Sequence, residues 1–393
     1  MGKLKPYTIG IDASNLRGGG GVTHLIEFLR AAQPAEHSID HIVVWGGKLT
    51  LKALETQPWL SKRNPPALDK GLFYRTLWQR YRLSQAARDE GCDVLFVPGG
   101  SYAGDFHPVV TISQNLLPFE INELLRYGWS RITLKIMLLR LIQTRSFRKA
   151  DGVIFLTGYA RDVVLRVTGR LRGQTCIVPH GVNPRFNKVP KLQRDIIEYD
   201  HAHPYRVLYV SIIDQYKHQW HVVEAVAALR QKGLPVVLDL VGPAYPPALE
   251  RLTEVIDRLD INRVWVRYYG AIPFNDLHLK YAQADLGLFA SSCENMPNIL
   301  LETMASGLPI ACSNRGPMPE VLGSAGVYFD PESANDISRA LSELIESPQF
   351  RNELAQASYE LAQQYSWQRC AKATFEFLAT SAHLHQDSTC VAS

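Results

Sequence analysis

The chain has 393 residues, of which 46% are hydrophobic and 20% charged, and a formal net charge of +4. Such a length exceeds what one hydrophobic core serves and predicts two domains in a soluble or peripheral globular protein. The small net charge argues against nucleic acid as a ligand. No run reaches the ~18 apolar residues of a membrane-spanning helix. Six cysteines (Cys92, Cys176, Cys293, Cys312, Cys370 and Cys390) are scattered without a CxxC pair. That argues against a zinc site or a disulfide framework and for a reducing compartment. The opening "MGKLKPYTIGIDAS" has a short apolar stretch broken by Asp12, so no signal peptide is expected there. The expected location is cytoplasmic, with room for peripheral attachment at the inner face of the cell membrane.

In chain order, "YTIGIDA", "HIVVWGG", "CDVLFVPGG", "PVVTIS", "DGVIFLT" and "CIVPHG" read as buried strands in the first half. "YRVLYVSII", "VVLDLVG", "VWVRYYG", "LGLFAS", "LPIACS" and "GVYFDP" repeat the style in the second. Continuous apolar strands alternating with amphipathic segments predict parallel sheets covered by helices, and two such sets predict two doubly wound α/β domains. The polar, proline-bearing stretch 183–204 reads as the linker between them. The small, polar tail from about His383 is expected to be flexible. In open α/β sheets ligands bind beyond the carboxyl ends of strands, so candidate residues should follow strands.

Several do. "NLRGGGGVTHLIEFLR" (15–30) follows the first strand, and Gly18 to Gly21 allow a phosphate close to the backbone before a helix begins at about Val22. A floppy surface turn is the other reading. Thr23 stands where a dinucleotide fingerprint needs its last glycine, which argues against an oxidoreductase. "PVVTISQNLLPFE" (108–120) ends a strand in a polar loop carrying Gln114. "RYGWSRITLKIMLLRLIQTRSFRKA" (126–150) is basic and apolar at helical spacing, with Glu123 the nearest acid. Segment 126–149 is therefore either an anionic-membrane surface or a domain helix with a solvated charged face. Lys217 lies in the loop after "YRVLYVSII", and His180 lies in "VPHGVNPRF".

The densest stretch is "CENMPNILLETMASGLPIA" (293–311), where seven residues separate Glu294 from Glu302. Pro297 suits a first helical turn, and Gly307 with Pro309 ends the helix. Free N–H groups near Asn298 would make an anion site. Each carboxylate accepts hydrogen bonds from hydroxyls. A ligand with phosphates in the middle and a sugar at each end fits, and a nucleotide-sugar has that shape. From spacing alone, a helix-surface charge and a solvated loop residue describe the same pair.

"FASSCENMPNILLETMASGLPIACSNRGPMPEVLG" resembles the signature of glycosyltransferase family 4, retaining enzymes of the GT-B fold. The likeness extends through 205–380 and more weakly through the first half. It implies two Rossmann-like domains facing across a cleft: 1–185 for the acceptor and 186–365 for the nucleotide-sugar. Residues 366–382 would form a helix crossing back to the first domain, with Trp367 buried, and 383–393 a flexible tail. In its terms Glu294 and Lys217 are catalytic, the one at the donor sugar and the other on the leaving diphosphate. Glu302 would hold the ribose, and Asn298, Ile299, Gly20, Gly21, Gln114 and His180 would complete the donor site. His180 is equally readable as a structural hydrogen-bonding residue. Three positions depart from the family pattern: Ile212 stands for an arginine, Gln114 for a histidine and Thr303 for an alanine.

The implied reaction moves a sugar from a GDP- or UDP-linked donor, of the GDP-mannose type, to a hydroxyl of a glycan acceptor, with retention and with no metal or other cofactor. Lipid-linked surface polysaccharide or O-antigen is the implied acceptor. A nucleotide-sugar epimerase of the same fold and a non-catalytic nucleotide-sugar-binding protein remain as alternatives. Glycoside hydrolysis needs two carboxylates about 5–10 Å apart at one anomeric carbon, which a ribose-bound Glu302 does not supply.

Overall fold

The computed structural model describes residues 6–392, with side chains through residue 385. It divides into two compact units. The first takes the chain up to Glu120, Ser130–Gly181 and everything from Ser366 onward; the second takes Ile121–Trp129 and Val182–Tyr365.

The first unit holds a seven-stranded parallel sheet: β1 (Tyr7–Ala13), β2 (Ile39–Gly46), β3 (Leu60–Arg63), β4 (Val94–Val97), β5 (Val109–Ile112), β6 (Gly152–Phe155) and β7 (Gln174–Ile177). Their order is β3-β2-β1-β4-β5-β6-β7. The second holds six parallel strands: β8 (Tyr205–Val210), β9 (Val236–Val241), β10 (Val266–Tyr268), β11 (Leu286–Phe289), β12 (Ile310–Ser313) and β13 (Val327–Phe329), ordered β10-β9-β8-β11-β12-β13. Every residue of β4, β5, β6, β9, β11 and β12 is buried. Helices cover both faces, so these strands read as unbroken apolar runs rather than as alternation. In each sheet the order reverses between two central strands, β1/β4 and β8/β11. The loops leaving those strands diverge there and open a crevice.

The helix Trp367–Ala392 belongs to the first unit and packs on β4, β5, β6 and the helix Gly20–Arg30. Trp367 is buried beside His180, and Phe375 lies 4.9 Å from Phe28, ring to ring. The helix runs on past His383 to Ala392.

The stretch 183–204 differs from the linker expected. It packs along the second unit, with the Lys188 amide donating to the Ala305 carbonyl at 2.9 Å. The fully buried Arg351 guanidinium donates to the carbonyls of Leu344 and Ile345, at 2.7 and 2.6 Å, and also to Arg194 O and Gln193 Oε1. A polar stretch is retained here because its carbonyls satisfy a buried cation.

Gly307 is where this stretch meets the site helix. Its φ is +64°, and a Cβ there would lie 2.5 Å from Lys188 O and 2.7 Å from Pro190 N. Gly307→Ala is expected to lower unfolding stability by roughly 2–4 kcal/mol, read from denaturant midpoints. A change within ~0.5 kcal/mol would contradict this account of the close approach.

Candidate active site

The second unit brings the loops after β8 and β11 together at its switch point. The bridge Ile213–Ala244 extends the β8–β9 pairing by one step, and the chain then turns so that the Lys217 amide donates to the Asp214 carbonyl at 3.1 Å. Tyr209 Oη donates to the Lys217 carbonyl at 2.8 Å. The buried Lys217 ammonium lies 5.0 Å from the Tyr216 ring centre and 5.5 Å from that of Phe289. It donates to Glu294 Oε1 in a short ion pair, and the Glu294 side chain keeps 15% exposure. Two aromatic faces and one carboxylate thus hold a desolvated cation.

His218 follows Lys217 and caps the helix Gln219–Gln231 with φ at +53°, a conformation that costs a side-chain-bearing residue energy. Its Nε2 pairs with Ser292 Oγ at 2.9 Å. Ser292 Oγ in turn donates to Glu123 Oε2 at 2.6 Å, and the Ser292 amide donates to the Tyr216 carbonyl at 2.9 Å. Arg126 closes the chain, donating to Glu123 at 2.8 Å and to Glu332 at 2.7 Å. Tyr127 Oη donates to Asp214 at 2.8 Å. Burial, with Arg126 nearby, pushes the His218 pKa down to about 3, so its ring is neutral. Segment 121–129 thereby ties down both loops: the one carrying Lys217 through Tyr127 and Asp214, the other through Glu123 and Ser292, two residues before Glu294.

The helix Asn298–Ala305 starts after Pro297, which is its cap rather than its first turn. The Asn298 amide donates to the Met296 carbonyl at 2.9 Å, so that amide does not serve as the free donor expected from the sequence. Glu302 is 8% exposed and accepts from Tyr281 Oη at 3.2 Å. Burial pushes its pKa up to about 8, against the opposing effects of Tyr281 and Arg185. It is a buried, poised carboxyl rather than a surface charge. Thr303 Oγ1 donates to the Ile299 carbonyl at 2.7 Å, and its Cγ2 sits over Gly287, where a Cβ would approach to 2.1 Å.

The remaining candidates fall in the first unit. The helix Gly20–Arg30 begins at Gly20, two residues earlier than expected, behind Gly19 at φ +66°. A Cβ on Gly21 would meet Gln114 Oε1 at 3.1 Å, while nothing lies within 4 Å of one on Gly20. Gln114 Nε2 pairs with His24 Nδ1 at 3.2 Å. His24, buried and held well below its ordinary pKa chiefly by burial, stacks on His180 at 4.7 Å. His180 in turn lies 5.5 Å from Trp367 and is buried. His24 carried no motif in the sequence; it is found only because its ring orients Gln114. Among the described residues no group of three or more His, Cys, Asp or Glu is placed to hold a metal ion.

Two family profiles tile the chain. "Glycosyltransferase Family 4" matches residues 18–186, and "Glycosyl transferases group 1" matches 196–361. The chain belongs to glycosyltransferase family 4. Among curated proteins it resembles the O-antigen chain mannosyltransferase B of Escherichia coli, 34% identical over 110 residues, which are 28% of this chain and 29% of that protein. The serotype-specific mannosyltransferase WbdA of Escherichia coli is 23% identical over 239 residues, 57% of this chain and 28% of its own. The matches span less than a third of these relatives' length. In fold the chain is similar to Anabaena Alr3699/HepE, crystallised with UDP and glucose, at TM-score 0.69 and 17% identity, covering 95% of this chain and 100% of that one. Sucrose-phosphate synthase from Thermosynechococcus elongatus superposes at TM-score 0.72 and 17% identity, covering 98% and 100%. The fold is the GT-B type.

Within family 4, the arginine position at Ile212 is a carbonyl contact: Ile212 O accepts from Gln219 Nε2 at 2.9 Å while its side chain is partly exposed. The larger Thr303 is accommodated by the bare backbone of Gly287.

Two measurements check this site. A carboxyl whose folded pKa lies above its unfolded value of 4.5 favours folding in its protonated form. Its contribution is therefore present at low pH and lost as pH rises through about 8. Between pH 6 and 9 the melting temperature of wild type should fall relative to Glu302→Gln; parallel curves would contradict the poised carboxyl. Glu123→Ala leaves Ser292 and Arg126 short of a partner. It should cost about 1–3 kcal/mol in denaturant unfolding, with the Ser292→Ala loss not additive to it; full additivity would show that the two do not share a network.

Proposed function

We propose that the protein transfers a sugar from a nucleotide-sugar to a hydroxyl of a glycan acceptor, with retention at the anomeric carbon and no metal. The observation that carries this reading is the buried Lys217–Glu294 pair at the β8/β11 switch point, with the poised Glu302 on the helix that follows. As the donor's anomeric carbon–oxygen bond breaks, negative charge grows on the leaving diphosphate. Lys217 is the fixed cation that stabilises it. The acceptor hydroxyl oxygen forms the new bond to the same carbon and passes its proton to the leaving phosphate. Glu294 orients the donor sugar by accepting from its hydroxyls, and Glu302 does the same for the ribose. Within the second unit, Ile299 and the Asn298 side chain complete the donor contacts. The donor is GDP- or UDP-linked, of the GDP-mannose type, a choice supported by the mannosyltransferase relatives and by a structural neighbour crystallised with UDP.

The acceptor is a lipid-linked surface polysaccharide or O-antigen glycan, reached by peripheral attachment to an anionic membrane from the cytoplasmic side. No helix among the described residues is long and apolar enough to cross a membrane. The basic, apolar helix Arg131–Lys149 supports a surface attachment. Arg126 leaves that surface, because it is engaged by Glu123 and Glu332.

Purified protein with GDP-mannose or UDP-glucose and a glycan acceptor should release nucleoside diphosphate and extend the acceptor. Lys217→Ala should lower turnover at least a hundredfold, the scale of a lost transition-state charge contact. Glu302→Ala should weaken nucleotide binding about tenfold, near the ~1.4 kcal/mol of a lost hydrogen bond. Undiminished turnover in Lys217→Ala would overturn the reading, and donor conversion without acceptor would replace it with epimerisation.

A further inference from the structure

The helix Leu72–Tyr81 in the first unit is anchored by one buried aromatic, Trp78, and by two polar residues, Arg75 and Gln79, that reach into the protein. Arg75 Nη1 donates to the Ser14 carbonyl at 3.1 Å. The buried Gln79 donates to Asp12 and, at 3.0 Å, to the Ser101 carbonyl, and accepts from the Ala103 amide at 3.1 Å. Its other apolar residues face outward: Leu72, Phe73, Tyr74, Leu77 and Tyr81 are all exposed, Phe73 at 68% and Tyr81 at 72%. Positions 73, 77 and 81 recur every four residues and so lie in one stripe. From Lys70 to Arg88 the sequence holds five basic residues and no acidic one.

The helix Arg131–Lys149 is built the same way. Thr133, Gln143 and Ser146 are buried together with Phe147, while Leu134, Met137, Leu138, Leu141 and Ile142 are exposed. It too carries no acidic residue. One loop borders both helices. The Tyr102 amide donates to Ser146 Oγ at 2.8 Å, its neighbours Ser101 and Ala103 bind Gln79, and a Cβ on Gly100 would lie 2.9 Å from Gln143 Nε2. Two outward-apolar, exclusively basic helices therefore flank loop 100–103.

We propose that Leu72–Tyr81, together with Arg131–Lys149, forms a docking face for an anionic lipid bilayer, with Phe73, Tyr74, Leu77 and Tyr81 seated at headgroup level. The charge pattern selects this occupant. A second copy would set basic face against basic face, whereas anionic headgroups neutralise it while the aromatic rings enter the interface. The proposal rests on the membrane clause of the function proposed above, but it adds a helix that clause does not need.

The test is flotation with vesicles of phosphatidylcholine, with and without phosphatidylglycerol, of wild type, Phe73→Ser/Leu77→Ser, Arg82→Glu and Leu138→Ser/Leu141→Ser. Wild type should bind only the anionic vesicles, less so at high salt. Each variant should bind at least tenfold more weakly, with melting temperature, nucleotide-induced shift and turnover of a water-soluble acceptor unchanged. Arg82→Glu alters an exposed charge, so its loss of binding cannot come from a damaged core. Three results would overturn the proposal. In the first, the Phe73/Leu77 and Arg82 variants bind like wild type while Leu138/Leu141 does not, and the membrane reading survives without this helix. In the second, wild type ignores anionic vesicles, and the membrane clause falls too. In the third, light scattering reveals a dimer that Phe73→Ser/Leu77→Ser dissolves, making the face a self-interface.

Discussion

The second unit is organised around a buried lysine that has found a carboxylate. Lys217 is 6% exposed, and a desolvated ammonium is tolerated only beside an opposite charge. Glu294 supplies that charge from a loop 77 residues away in sequence. The doubly wound topology makes the meeting possible, because β8 and β11 are neighbours in the sheet and their loops leave from the same end. The rings of Tyr216 and Phe289, the αL turn at His218 and the Ser292 bridge all serve to keep these two loops in one arrangement. Segment 121–129, remote from them in sequence, completes the arrangement through Glu123.

In this state the lysine and the glutamate neutralise each other. In the proposed reaction a diphosphate takes the lysine and a sugar hydroxyl takes the glutamate, so both charges change partner without either being left bare in a dry site. Glu302 works differently. It is poised by burial rather than by an ion partner, and it stands on a helix whose far end is fixed by Gly307 against Lys188 and Pro190. The two carboxylates that the sequence places seven residues apart thus have opposite electrostatic characters, one paired and one desolvated.

Much of this was legible in the sequence because the determinants are local. Twelve apolar runs read as strands correspond to twelve of the thirteen; β3, "LSKR", was missed because an edge strand with one buried residue has no apolar run to show. The helix after Pro297, its end at Gly307 and the loop positions of Lys217 and Glu294 follow from turn chemistry and strand ends. Hidden were features that depend on distant partners. Arg126 looked like part of a basic face until Glu332, 206 residues on, claimed it. The stretch 183–204 looked like a linker because nothing local reveals that Arg351 needs its carbonyls. The Asn298 amide looked free because the turn at Met296 cannot be read from composition. His24 gave no signal, since its role is to hold a glutamine that stands where the family has a histidine.

The most direct test of the account is calorimetric titration of free GDP and UDP into wild type, Lys217→Ala and Glu294→Gln. A charge-neutralised lysine that must change partner predicts that Lys217→Ala loses at least tenfold in affinity for the diphosphate that wild type binds. It also predicts that Glu294→Gln, whose lysine is released from its ion pair, binds that diphosphate at least as tightly as wild type. If Lys217→Ala binds as wild type does, the ion pair is structural and the account of the site fails.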